Sequence, residues 1–131
     1  MRTTKGEQTL INLFRRAGIW FEREKTFDDL RGGKYRYDFY LPDYNILIEF
    51  DGTQHFHQVA HFQKRKSDFL KAQEHDRRKN SYALSNQIRL YRIPYWELEN
   101  LKSARDLFRD DFLVRTKWHN DEIWRKHQNY R

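Results

Sequence analysis

Asp38, Glu49 and Asp51 lie within one stretch, Lys34 to Gly52 (KYRYDFYLPDYNILIEFDG), that reads as two β-strands joined by a turn containing Pro42. Tyr35, Tyr37, Phe39 and Leu41 alternate with Lys34, Arg36, Asp38 and Tyr40; Ile46, Ile48 and Phe50 alternate with Leu47, Glu49 and Asp51. That is the period of two of extended chain, so each strand sets its carboxylates opposite its Ile/Phe/Tyr row. Residues directly opposite in a hairpin share a face. Asp38 therefore meets either Glu49, across a four-residue loop from Pro42 to Asn45, or Leu47, across a two-residue loop. Both registers bring Glu49 opposite or diagonal to Asp38, with Asp51 one pleat further on. Like charges so placed destabilise a bare sheet by a few tenths to about 1 kcal/mol. A hard dication such as magnesium reverses the sign, because it wants clustered carboxylate oxygens. The plain alternative is a solvated strand face with three scattered acids.

The elements around this hairpin must position it. Thr4-Lys5-Gly6-Glu7 fits a capping box, with Leu10, Ile11, Phe14 and Ala17 at helical spacing behind it and Gly18 as the stop. Glu7 is either an N3 capping residue, the reading the sequence favours, or a carboxylate pointing along the inward face. Ile19 to Phe27 alternates as a strand, and Asp28 to Gly33 is a turn. Gly52 to Lys66 (GTQHFHQVAHFQKRK) has no clean period and holds His55, His57 and His61. A helix is predicted from Ser67 to Asn86. Its inward stripe is Phe69, Ala72, Asp76, Lys79 and Ala83, which places a carboxylate and an ammonium in an apolar row. Burying an unpaired charge costs several kcal/mol, so Asp76 and Lys79 are either an (i, i+3) ion pair at the core rim or functional groups. Ile88 to Ile93 is a fourth strand stopped by Pro94. Trp96, Leu98 and Leu101 begin a helical return, and Ser103 is an N-cap for a helix through Leu107, Phe108, Asp111 and Val114. The stretch from Arg115 to Arg131 mixes Trp118, Trp124 and Tyr130 with cations. That suits either a nucleic-acid contact or packing on the body or on a second copy.

Twenty-six Lys+Arg against 19 Asp+Glu leave the 131-residue chain at +7. The length is that of a single domain, and a basic, aromatic-rich small domain points to a polyanionic partner, most simply nucleic acid. The absence of Cys excludes a disulfide framework and a thiolate zinc site. With no apolar run of membrane-spanning length and no signal-peptide h-region, a soluble, intracellular (cytoplasmic) protein without membrane partners is expected.

The order helix, three strands, helix, strand, with Asp on one strand and Glu-x-Asp on the next, resembles the PD-(D/E)xK nuclease core. The run Asp38…Glu49-Phe50-Asp51-Gly52-Thr53-Gln54-His55-Phe56, then Asp76-x-x-Lys79 on a helix and Arg92-Ile93-Pro94 ending a strand, is similar to something narrower. It looks like the very-short-patch-repair (Vsr-like) endonucleases, and especially the EDxHD homing endonucleases of phages and group I introns. The likeness covers residues 5 to 100 or so. It implies a restriction-endonuclease-like α/β fold, an αβββαβ mixed sheet flanked by helices, with a helical C-terminal extension from about residue 103.

The same resemblance implies the roles. Asp38 is the metal-binding aspartate of the first core strand; Glu49 is the acidic residue of (D/E)xK, with the Phe50 carbonyl also offered to the metal. Glu7 matches the glutamate of the first helix, and His55 and Asp76 match the later His and Asp. The Lys of (D/E)xK is replaced here by Asp51, so the base or phosphate-contacting role moves to His55, then His57, then Lys79. The expected activity is hydrolysis of a DNA phosphodiester with magnesium, or manganese in its place, acting on double-stranded DNA as a phage or mobile-element enzyme and possible homodimer. Asp76 would orient His55 or bind a second metal, and Lys64-Arg65-Lys66 would hold the DNA backbone. The alternatives are a Holliday-junction or branched-DNA resolvase and a non-catalytic DNA-binding module on the same fold.

Overall fold

A computed structural model describes residues 3–56 and 66–129. The chain runs through α1 (Lys5–Ala17), β1 (Glu22–Lys25), β2 (Tyr37–Leu41), β3 (Ile46–Asp51), α2 (Lys66–Ser85), β4 (Arg89–Pro94) and α3 (His119–Asn129), with short 3-10 turns between. This mixed α/β architecture keeps the order of helices and strands expected through β4. The four strands form one sheet in the order β1-β2-β3-β4; β1/β2 and β2/β3 are antiparallel and β3/β4 parallel.

The β2–β3 register is the one with the longer loop. Leu41 pairs with Ile46, Tyr40 with Leu47 and Phe39 with Ile48. Residues 42–45 make the turn, with Asn45 in the left-handed region (φ 53), where an Asn side chain is tolerated. Continued by one residue, this register sets Asp38 opposite Glu49.

Two cores cover the two faces. On one, Leu10, Ile11, Leu13 and Phe14 of α1 pack on Phe39, Leu41, Ile46, Ile48 and Ile93. Truncating a fully buried ring such as Phe14 typically costs about 3–5 kcal/mol. On the other face, Ala83 of α2 packs with Leu47, Leu90, Val114 and Tyr37. The α1 end is capped as its sequence demands: Thr4 and Glu7 form both bonds of the capping box, and Gly18 closes the helix at φ 68. Gly6 is required by packing, since a Cβ there would run into the Phe50 ring. The outer edge of β4 is covered by the chain beyond it, through the Val114 N–H bond to the Leu90 carbonyl (2.9 Å) and a bridge between Tyr91 and Leu113.

Several expectations are corrected. Tyr37 belongs with the α2-side cluster, not with the Phe39 row. Its phenol is drawn there by a 2.8 Å bond to the Lys79 carbonyl. The first strand is only four residues long, with Glu24 at positive φ (53). The helix after Ser103 is two 3-10 turns, Ala104–Phe108 and Asp110–Phe112, because Arg109 between them is extended (φ −62, ψ 144). Ser103 does cap the first of them, in a capping box with Asp106. Asp76 and Lys79 do not pair with each other; each takes a partner from another element. Among the described residues no helix is long and apolar enough to cross a membrane. His57, His61, Lys64, Arg65, Tyr130 and Arg131 lie outside the described residues.

Candidate functional site

The α2 face of the sheet gathers charge at the carboxyl end of β3. Because the residues of β3 alternate, Leu47 goes to the apolar cluster while Glu49 and Asp51 emerge from the same face nearer the strand end. Antiparallel β2 contributes Asp38. The 3-10 turn Thr53–His55 that follows β3 brings back His55. Helical spacing puts Asp76, Lys79, Asn80 and Ala83 on the buried side of α2. Parallel β4 sets Arg92 level with Glu49, and α3 adds Asn120.

Glu49, 2% exposed, forms an ion pair with the Lys79 ammonium. That ammonium also lies 5.0 Å from the centre of the Tyr37 ring. Burial, and then the Arg92 charge, lower the Lys79 pKa to about 7. Asp38 accepts the Phe50 N–H at 2.8 Å and forms no ion pair among the described residues. Burial raises its pKa, opposed by Lys79 and the Phe50 N–H.

Asp51 and Asp76 are held differently. Arg92, 1% exposed, donates to Asp51 Oδ1 at 2.7 Å and to Asn80 Oδ1 at 2.7 Å, and lies 3.5 Å from Asp76 Oδ1. Asn120 Nδ2 donates to the other Asp51 oxygen at 2.9 Å, and Asn80 Nδ2 donates to Asn120 Oδ1 at 3.1 Å. Complete burial pushes the Asp51 pKa up against the pull of Arg92 and His55. Asp76 is also desolvated, yet His55 and Arg92 prevail and hold its carboxyl below the usual range. His55 Nδ1 lies 2.8 Å from Asp76 Oδ2 and 3.5 Å from Asp51 Oδ1. Burial disfavours the imidazolium, but the two carboxylates overcome it and lift the His55 pKa to about 9. His55 is therefore a cation at neutral pH.

Of the sequence-derived candidates, Asp38, Glu49, Asp51, His55, Asp76 and Lys79 are brought together. Glu7 is not. Its carboxylate accepts the Thr4 N–H at 3.0 Å and lies 3.6 Å from Arg23, whose guanidinium sits over the Phe39 ring on the α1 side of the sheet. Arg92, Asn80, Asn120 and Tyr37 belong to the cluster but were not candidates. Arg92 carried a signal, an arginine inside the apolar strand IRLYRI; Asn120, far along the chain, carried none.

The donor set bears on metal binding. Four acidic side chains (Asp38, Glu49, Asp51, Asp76) face three basic ones (Lys79, Arg92, His55). Among the described residues no three acidic or histidine side chains converge as a closed cage. Magnesium does not need one, since it is commonly held by one or two carboxylates, waters and substrate phosphate. Of the four carboxylates, Asp38 alone forms no ion pair among the described residues, while Glu49 already holds the Lys79 ammonium. Asp51 and Asp76 are each engaged by protein donors from Arg92, Asn120 and His55.

No family model matches the chain. Over 58 residues, 44% of its length, the chain is 33% identical to a protein of Invertebrate iridescent virus 6 described as "Uncharacterized protein 307L". The match spans 29% of that viral protein, so this chain is similar to a minor part of it.

Proposed function

We propose that the protein is a metal-dependent DNA endonuclease on a restriction-endonuclease-like core, similar to Vsr-like and EDxHD homing enzymes. The observation that carries this reading is the β2–β3 register, which, continued one residue past Phe39↔Ile48, sets Asp38 against Glu49 on the face that also receives Lys79. Magnesium bound by Asp38, Glu49 and the Phe50 carbonyl would acidify a water and neutralise charge on the phosphoryl oxygens. Glu49 and Asp38 hold the negative field at the strand ends. Lys79 supplies a cation beside the phosphate position, the place left open where Asp51 stands for the lysine of (D/E)xK. His55, charged and fixed by Asp76, donates a hydrogen bond or a proton toward the leaving oxygen. Asp51 orients Arg92 and His55 instead of binding metal. A monomer carries one such centre, so cutting both strands takes two copies or two successive nicks.

A second reading, a DNA-binding module without catalysis, is favoured by one specific observation: Arg92 and Lys79 already pair with three of the four carboxylates. Incubating the protein with supercoiled plasmid, a linear duplex, a four-way junction and an RNA of equal length, with and without magnesium, separates the readings. The endonuclease reading expects magnesium-dependent nicking of plasmid with RNA left intact. Salt-sensitive binding without any nicking marks the module, and preference for the junction marks a resolvase.

A further inference from the structure

The outer side of α2 is as distinctive as its inner side. A cleft of about 520 Å3 runs between the Asp29–Arg31 turn, α2 and the Lys117–Trp118 turn. Four cations line it, Arg31, Arg77, Arg78 and Lys117, against two carboxylates, Asp29 and Glu74. Asp29 accepts the Tyr82 hydroxyl at 2.6 Å and Glu74 pairs with Arg78 at 3.1 Å. Arg77 is turned toward Asp121 in a two-bond pair. Arg31 and Lys117 form no ion pair among the described residues.

Trp118 stands at this cleft, 45% exposed, with Arg77 and Lys117 each 4.8 Å from the centre of its ring. Its backbone is fixed: the Lys117 carbonyl accepts from Asn80 Nδ2 at 3.1 Å, and the Trp118 N–H donates to Thr116 Oγ1 at 3.2 Å. A large aromatic held in water on a rigid turn gains nothing from its own fold by that exposure. With these cations over its ring, it has the make-up of a stacking site where a base takes the place of one cation and the displaced charge neutralises the adjoining phosphate. Asn80, which pins this turn, also receives the Arg92 guanidinium, so the platform and the carboxylate cluster are anchored to one helix.

We infer that this cleft is a second nucleic-acid contact, separate from the carboxylate cluster. Arg31, Arg78 and Lys117 hold the phosphates of one strand there, and an unpaired base stacks on Trp118. The inference rests on the endonuclease reading only for the identity of the partner.

The test uses the full chain carrying Asp38→Asn in metal-free buffer, a fluorescently labelled single-stranded oligonucleotide, and anisotropy titrations across a range of salt. Trp118→Ala is expected to weaken binding roughly five- to hundredfold, with Trp118→Phe restoring most of it. The double substitution Arg78→Ala with Lys117→Ala is expected to flatten the slope of log affinity against log salt by about 1.4, the loss of two single-strand phosphate contacts. Thermal melts of these surface variants should match the parent. Affinity and salt slope unchanged in both sets overturn the inference. So does polyglutamate that competes as well as DNA, which would make the cleft an acidic-protein surface. Wild type that fails to cut while the Trp118 series behaves as described overturns only the endonuclease reading.

Discussion

Asn120 Nδ2 donates to Asp51 Oδ2 at 2.9 Å, joining the C-terminal helix to the end of β3 across 69 residues of chain. Both side chains are buried, and each oxygen of Asp51 has a protein donor, since Arg92 holds the other. Asn120→Ala strands that oxygen and one Asn80 donor. It is expected to cost about 1–3 kcal/mol, seen as a lower urea midpoint at an unchanged m-value.

Arg92 is the cation on which this cluster turns. Replacing it with Met leaves buried Asp51 with only Asn120 and His55 beside it and Asp76 with only His55, and the expected loss is about 3–5 kcal/mol. Arg92→Lys should rescue little, because an ammonium cannot match the planar fork that reaches Asn80 and Asp51 together. Equilibrium unfolding of the two variants checks both statements.

Why the candidate site was readable in the sequence, and where it was not, follows from range. Strand parity alone limited Asp38 to Glu49 or Leu47, and the helical period placed Asp76 and Lys79 on one inward face; both are local rules. Which charges pair is a tertiary matter. Lys79 was within reach of Asp76 along the helix, yet it crosses to Glu49 because Arg92 and His55 already occupy Asp76. Tyr37 left its alternating row because a buried phenol needs an acceptor, and the Lys79 carbonyl supplies one. Glu7 had two readings, and the structure shows the capping bonds together with Arg23. The role of the C-terminal segment could not be read at all, since nothing in Asn120 or its neighbours announces a partner on β3.

Acid should weaken the fold through His119. Burial, and then the Arg92 charge, push its pKa down from 6.5 to about 4. A base whose folded pKa is depressed contributes its full stability above its unfolded pKa, near 6.5, and loses it as pH falls toward 4, because the unfolded chain takes the proton first. At about 1.4 kcal/mol per unit the ceiling is on the order of 3 kcal/mol. In denaturant midpoints measured from pH 7 to pH 4, wild type should lose stability relative to His119→Gln as the pH falls. A constant separation contradicts this account.

Lys79→Met removes the ammonium that pairs with Glu49 and sits over the Tyr37 ring, leaving an apolar side chain of similar length. Magnesium-dependent nicking is expected to fall roughly hundredfold or more. Lys79→Arg, which keeps the charge, should retain more activity than the Met variant. Single-turnover nicking rates, with a folding check by circular dichroism, decide between them.

The most direct measurement is relaxation of supercoiled plasmid by wild type and by Asp38→Asn, each with magnesium and with a chelator. Asp38 makes no ion pair among the described residues, and an Asn there keeps an oxygen for the Phe50 N–H while removing the charge proposed to hold the metal. The account expects nicking by wild type with magnesium alone and none by Asp38→Asn under either condition. Equal nicking by the two proteins, or nicking by wild type that survives the chelator, contradicts it.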